Sequence, residues 1–129
     1  MLRRASDNIV IKYNKKTVVG LVEPITVLGP KGKKKEVMAR IDTGATKSSV
    51  DFQLAADLEL GPILKTKLVR SASGTGLRPV VSARIILADK EIKTEFTLAD
   101  RSNMKYRVLI GQNILSQGFL IDPVKESDR

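Results

Sequence analysis

Asp42 arrives at the end of an apolar, β-type run, Val37-Met-Ala-Arg-Ile41, and is followed at once by Thr43-Gly44, a tight turn. A glycine in that place lets the backbone turn sharply and approach other groups closely. Further along, Val108-Leu-Ile110 meets Gly111 in the same way and continues as Gln112-Asn-Ile-Leu115, without an acid. The chain therefore builds a strand-and-turn device twice and arms it once. Chemistry that needs two adjacent carboxylates is open to it only if two copies come together across a symmetry axis. Oligomeric state becomes a statement about mechanism.

The rest of the chain is punctuated by glycine and proline. Strands are expected at residues 17–22, 25–28, 37–41, 68–71, 80–87, 91–98, 106–110 and 119–121. Glu23-Pro24 reads as a bend, because proline cannot sit in a central strand. Gly29-Pro30-Lys31-Gly32 is a turn, which makes 25–41 a hairpin with a basic tip. Residues 52–58 carry apolar side chains at helical spacing, and 113–116 reads as a single helical turn. Between 71 and 76 the chain is small, Gly-rich, flexible and turn-forming. Many short strands with frequent breakers predict an all-β, closed barrel with one or two short helices.

At 129 residues the chain fits one domain. Such a domain buries roughly two-thirds of its unfolded surface. With two Tyr, three Phe and no Trp, the core must be filled by Val, Ile and Leu. There is no Cys and no His, which removes disulfides, thiol nucleophiles, soft metal ligands and every His-based triad. Carboxylates, hydroxyls and cations remain. The net charge of +9, with basic clusters at 12–16, 31–35, 65–70 and 105–107, suits an anionic partner, either nucleic acid or an acidic polypeptide. Aromatics are not interleaved with the basic runs, which disfavours a stacking platform for nucleic acid. The first residues form no apolar leader core, and no apolar run reaches membrane-span length, so a soluble, cytoplasmic protein with no membrane partner is expected.

Taken together, Ile41-Asp-Thr-Gly-Ala45, the hydroxyl residues after it, and the segment from Phe96-Thr-Leu-Ala-Asp100 to Val108-Leu-Ile-Gly-Gln-Asn-Ile-Leu115 resemble the retropepsin-like aspartic proteases. The likeness is to the branch historically labelled "ATP-dependent zinc protease" and associated with ATP-grasp glutamate ligases, and it covers most of residues 20–124. The resemblance implies one retropepsin-like domain per chain, over residues 17–124, active as a homodimer. Residues 1–16 would form an N-terminal segment at the dimer interface, and 125–129 a charged tail. It implies an aspartic endopeptidase that hydrolyses peptide bonds. Two carboxylates a few ångströms apart cannot both ionise, so one acts as base on a water while the other donates to the scissile carbonyl.

In that scheme Asp42 is the catalytic acid of each subunit. Thr43 braces the partner loop, and Gly44 lets the backbone close on the dyad. Ala45, Thr46 and Lys47 follow as substrate-binding positions. Residues 71–78, including Ser73 and Gly74, occupy the place of the mobile hairpin that covers the cleft. Arg101, Tyr106 and Arg107 are expected at subsites, and with Lys47 they suit acidic, glutamate-rich peptides. The zinc part of the label does not fit, since a catalytic zinc takes three protein ligands that are usually His-rich. No phosphate-cradling Gly-rich loop ending in Lys-Ser/Thr occurs, so no metal and no cofactor are expected.

Two departures from the retroviral pattern stand out. Thr46 and Lys47 occupy positions that are often acidic, and Gln112 stands where an arginine commonly braces the dimer. Asp42 read plainly is a turn-capping acid. Asp51 is a further acid near the motif, Asp100-Arg101 reads as a surface turn or weak ion pair, and Asp122-Pro123 ends a strand. Two rival functions stay open: a homodimeric peptide-binding module without turnover, and a basic nucleic-acid-binding protein.

Overall fold

The computed structural model describes residues 9–71 and 74–126. Among the described residues ten strands and two short helices follow one another as β1 (Ile11–Tyr13), β2 (Lys16–Val19), β3 (Val22–Leu28), β4 (Lys34–Ile41), β5 (Ser48–Asp51), α1 (Phe52–Asp57), β6 (Lys65–Ser71), β7 (Gly74–Leu87), β8 (Lys90–Ala99), β9 (Val108–Ile110), α2 (Gln112–Leu115) and β10 (Phe119–Ile121).

The main sheet runs β3-β4-β9-β5-β8-β7-β6, and a further β3–β7 pairing closes six of its strands into a barrel. Closure removes the open edges that an unclosed sheet would expose. β6 stays outside the ring, paired only to the first half of β7, from Lys65↔Val80 to Ser71↔Gly74. A second sheet, β1-β2-β10, lies apart from the barrel ladder, with β10 parallel to β2. This is the closed all-β architecture with two short helices that the punctuation predicts.

The barrel interior is aliphatic, as the shortage of aromatics requires. Ile25, Ile85, Leu87, Ile110, Ile114 and Phe96 are its largest fully buried side chains. Each such side chain contributes about 1.5–3 kcal/mol of transfer free energy. No helix among the described residues is long and apolar enough to cross a membrane.

Three sequence expectations need correction. β3 runs straight through Pro24, which pairs opposite Met38, and the chain breaks earlier, between β2 and Val22. Proline is tolerated there because the β3–β7 ladder starts only at Ile25, so Pro24 has a free side and its missing N–H breaks no second ladder. The strand expected at 17–22 therefore ends at Val19. The stretch 71–78, expected as turn-forming in the place of a covering hairpin, is strand at Ser71 and from Gly74 on, because β6 and β7 keep their register to Ser71↔Gly74. Finally, β9 begins at Val108, so Tyr106 and Arg107 precede the strand rather than form part of it.

Glu23 explains how the break after β2 is held. Its carboxylate, only 2% exposed, accepts the Gly20 N–H at 2.6 Å and the Lys125 ammonium at 2.7 Å. Lys125, expected at the head of a charged tail, is thus buried against the barrel, its side chain 8% exposed. Asp122 does end β10 in a turn, its Oδ1 accepting the Val124 N–H at 3.1 Å.

Candidate active site

Asp42 stands one residue beyond the end of β4, where it is fastened to the second glycine segment. Ile41 is in parallel register with Ile110, and the Asp42 N–H donates to the Ile110 carbonyl at 2.9 Å. Within the loop, Asp42 Oδ1 accepts the Gly44 N–H at 2.9 Å, and the Ala45 N–H reaches back to the Asp42 carbonyl at 3.3 Å. The turn-capping contact expected of such an acid is therefore made by one oxygen of the carboxylate.

The partner segment grips the same loop from the other side. Gln112 donates its backbone N–H to the Ala45 carbonyl and its side-chain amide to the Thr43 carbonyl, each at 2.8 Å. The residue that departs from the retroviral pattern is thus committed to its own Asp42 loop. Ser48 links the two segments again. Its Oγ accepts the Gly111 N–H at 2.9 Å and donates to Asn113 Oδ1 at 2.8 Å. Asn113 in turn donates to the Glu95 carbonyl at 2.9 Å, which ties α2 to β8.

A cavity of about 770 Å³ opens over this loop, a volume typical of small-ligand or peptide clefts. Asp42, Gly44, Ala45, Thr46 and Lys47 line one side of it. The β6–β7 hairpin supplies a wall through Lys67, Val69, Arg70 and Arg78, and Arg101 stands at the end of β8. The hairpin sits opposite Asp42 because β7 is long: its second half closes the barrel and its first half continues past the rim to carry β6. Among the expected substrate-binding residues, Ala45, Thr46, Lys47 and Arg101 line this cavity. Gly74 does not, lying exposed at the hairpin end, and Ser73 is outside the described residues.

Thr43 is exposed and does not line the cavity. Tyr106 and Arg107 do not line it either. They face the support of Asp51 and Arg101 instead, since Arg107 Nη2 lies 3.7 Å from Asp51 Oδ2 and the Tyr106 carbonyl accepts the Arg101 Nε–H at 2.9 Å. Lys47 Nζ stands 3.7 Å from Glu95 Oε1, a carboxylate that Lys65 Nζ also approaches at 3.3 Å. Both pairs are partly solvated and contribute little to stability.

Asp51, noted from sequence only as a neighbouring acid, is the structural support of the site. It is 2% exposed. It caps α1 by accepting the Gln53 and Leu54 N–H groups, and it accepts the Arg101 N–H at 2.8 Å. The Asp-Phe pair before an apolar helix was a legible cap signal; its hold on Arg101 is a tertiary contact with no local signature.

Asp100-Arg101 divides in an unexpected way. Asp100 is the surface turn, its carboxylate accepting the Ser102 hydroxyl at 2.6 Å and the Ser102 N–H at 3.0 Å. Those two bonds, the hydroxyl foremost, hold its pKa below the ordinary aspartate value. Arg101 is no surface residue, with only 8% of it exposed. Burial first, and the neighbouring Arg78 charge second, push its guanidinium below the usual arginine value, while Asp42 and Asp51 act in the opposite direction. It remains a cation regardless.

Sequence reasoning missed Lys67, Arg70 and Arg78 as lining residues. The first two were visible only as members of a basic run, and Arg78 acquires its place by pairing opposite Lys67 in the hairpin register. Among the described residues no group of three or more Asp, Glu, His or Cys side chains is placed to hold a metal ion.

Comparison with known proteins matches residues 53–129 to the RimB-like family, described as retropepsin-like aspartic endopeptidase RimB. That match begins after the Asp42 loop. A probable alpha-L-glutamate ligase from Parasynechococcus marenigrum is 30% identical over a 112-residue alignment that takes in 67% of this chain. The alignment spans only 24% of that relative's length. Among solved structures, the EIAV protease in complex with the inhibitor HBY-793 superposes with a TM-score of 0.61 at 18% identity, over 82% of this chain and 92% of that one. A Legionella pneumophila protein of unknown function gives 0.57 at 18% identity, over 85% and 95% of the two chains. A retropepsin-like aspartic protease from Rickettsia conorii gives 0.50 at 18% identity, over 85% and 78%. At these identities the structures establish a shared fold.

Proposed function

This chain belongs to the RimB-like family of retropepsin-like aspartic endopeptidases, and from that membership we propose that it hydrolyses peptide bonds with an aspartate dyad assembled from two copies. The observation that carries the reading is the position of Asp42. One carboxylate sits on a glycine-turned loop at the edge of a cavity, opposite a β-hairpin, and its Oδ1 is already engaged by the Gly44 N–H. One acid per chain needs the partner's Asp42 to divide the work: the ionised carboxylate takes a proton from water, and the protonated one donates to the scissile carbonyl.

Thr43 and Gly44 complete the catalytic loop in this reading. Thr43 is exposed, so its hydroxyl is free to brace the partner loop, while its carbonyl is held by Gln112. The N-terminal segment before residue 17 belongs to the dimer interface. β1 supports this, since Ile11 and Tyr13 are 44% and 67% exposed and, among the described residues, the strand pairs only with β2. An open strand edge beside exposed apolar side chains is a natural place for a second copy.

The substrate is an acidic polypeptide, extended across the cleft. Five cations, Lys47, Lys67, Arg70, Arg78 and Arg101, line the cavity against two acids, Asp42 and Asp100. Such a field favours anionic peptides by steering and by rejecting cationic ones. The likeness to a protein named for glutamate ligation agrees with a glutamate-bearing substrate. A non-catalytic binding module would use the same cavity, and turnover separates the two. Incubation with a glutamate-rich peptide gives defined cleavage products from the wild type and none from Asp42→Asn, which keeps the dimer by analytical ultracentrifugation. Cleavage surviving in Asp42→Asn would sink the mechanism.

A further inference from the structure

Arg101 presents an unusual combination. The residue is nine-tenths buried and fixed at two points, by its own N–H on Asp51 and by its Nε–H on the Tyr106 carbonyl. Both remaining guanidinium nitrogens make no hydrogen bond or ion pair with any described residue. Yet no buried side-chain nitrogen or oxygen among the described residues lacks a partner, so those nitrogens are open to solvent rather than sealed. Arg101 lines the cavity over Asp42. Arg78, half-buried and likewise without a polar partner among the described residues, lines the same cavity.

Burying a guanidinium is costly, and Asp42 and Asp51 offset that cost through space without bonding its two outer nitrogens, so a fold that keeps it rigidly there has a use for those donors. A guanidinium anchored through Nε offers its two outer nitrogens in the fork that matches a carboxylate. Side-chain entropy is already lost, which makes the receptor pre-organised. We propose that Arg101, with Arg78 beside it, is a receptor for a peptide carboxylate and fixes where an acidic substrate lies relative to Asp42. Arg101 is then the specificity-determining residue, and the surrounding lysines supply a diffuse field. This assignment rests on the reading of the cavity as the peptide site.

The test uses the full chain and two readouts. In the first, the guanidinium ¹⁵N signals are followed while acetyl-glutamate N-methylamide, which carries only a side-chain carboxylate, is added. A parallel titration uses acetyl-glutamine, which carries only a terminal one. A saturable shift of the Arg101 signal with the first probe assigns a side-chain receptor, and with the second a terminal one. Arg101 signals that move no more than those of Arg84, an exposed arginine paired with Glu91 elsewhere on β7, overturn the proposal.

In the second readout, kcat/KM is measured for two peptides that differ by a single Glu or Gln. The wild-type preference for Glu falls by roughly ten- to a hundredfold in Arg101→Lys, and by less in Arg78→Met, the loss residing in KM. An unchanged preference in both folded variants overturns the receptor while leaving the protease reading intact. Should Arg101→Lys fail to fold, Arg78→Met and the titration still decide. Conversely, turnover that persists in Asp42→Asn removes the protease reading, and the titration decides the receptor independently.

Discussion

The α-carbon of Gly111 faces the backbone of Lys47 so closely that an added Cβ would lie 2.4 Å from the Lys47 carbonyl oxygen and 2.7 Å from that of Ala45. Its φ of −104° is open to any residue, so the requirement for glycine is one of space. Both opposing atoms are backbone and cannot swing aside. Gly111→Ala is therefore expected to destabilise the fold by roughly 3 kcal/mol, at the upper end of overpacking effects, and to displace the Asp42 loop. Urea denaturation measures the first effect. A variant as stable as wild type would show that the two segments are not packed this tightly.

Asp51 gives a second expectation. Its carboxylate satisfies two orphan donors of α1 and the Arg101 N–H at once. Asp51→Ala leaves all three donors without that partner and is expected to cost about 3 kcal/mol, more than an ordinary helix cap. Asp51→Asn keeps one acceptor oxygen and should lose less. Thermal unfolding of the two variants ranks them, and equal losses would mean that charge rather than donor satisfaction matters.

Lys125 and Glu23 form a nearly buried ion pair at 2.7 Å. Lys125→Met takes a cation away from a carboxylate that is almost wholly buried, and it is expected to cost about 3 kcal/mol. The double variant Glu23→Gln, Lys125→Met should recover part of that loss, because the buried charge goes together with the cation beside it. A double-mutant cycle reads the coupling. Strict additivity would show that the pair does not fasten the C-terminal segment to the β2–β3 break.

Asp100 has a folded pKa held below its ordinary value of 3.8, first by the Ser102 hydroxyl and then by the Ser102 N–H. A depressed folded pKa means that the unfolded chain binds the proton more readily. The associated stability is present in full above 3.8 and is lost as pH falls through the lower folded value. Titration of the Asp100 carboxyl carbon by NMR should give a midpoint below 3.8, moving back towards it in Ser102→Ala. A midpoint unmoved by that substitution would refute the hydroxyl as the main cause.

The local devices were legible in the sequence because they are written over a few residues. An apolar run ending in Asp42-Thr-Gly specifies a strand and a sharp turn, and the apolar spacing over residues 52–58 specifies a short helix. The absence of His and Cys bounded the chemistry before any fold was known. What the sequence could not carry was partnership at a distance. Pro24 lies within β3 because the strand that would have needed its N–H starts pairing one residue later. Lys67, Arg70 and Arg78 become cavity residues through the β6–β7 register, and Arg101 turns from a surface cation into a buried one through Asp51 and Tyr106. Pattern along a chain determines which backbone shape is cheap. Which charges are desolvated, and which of them meet across a cavity, depends on contacts between residues far apart in sequence, and only the folded barrel decides them.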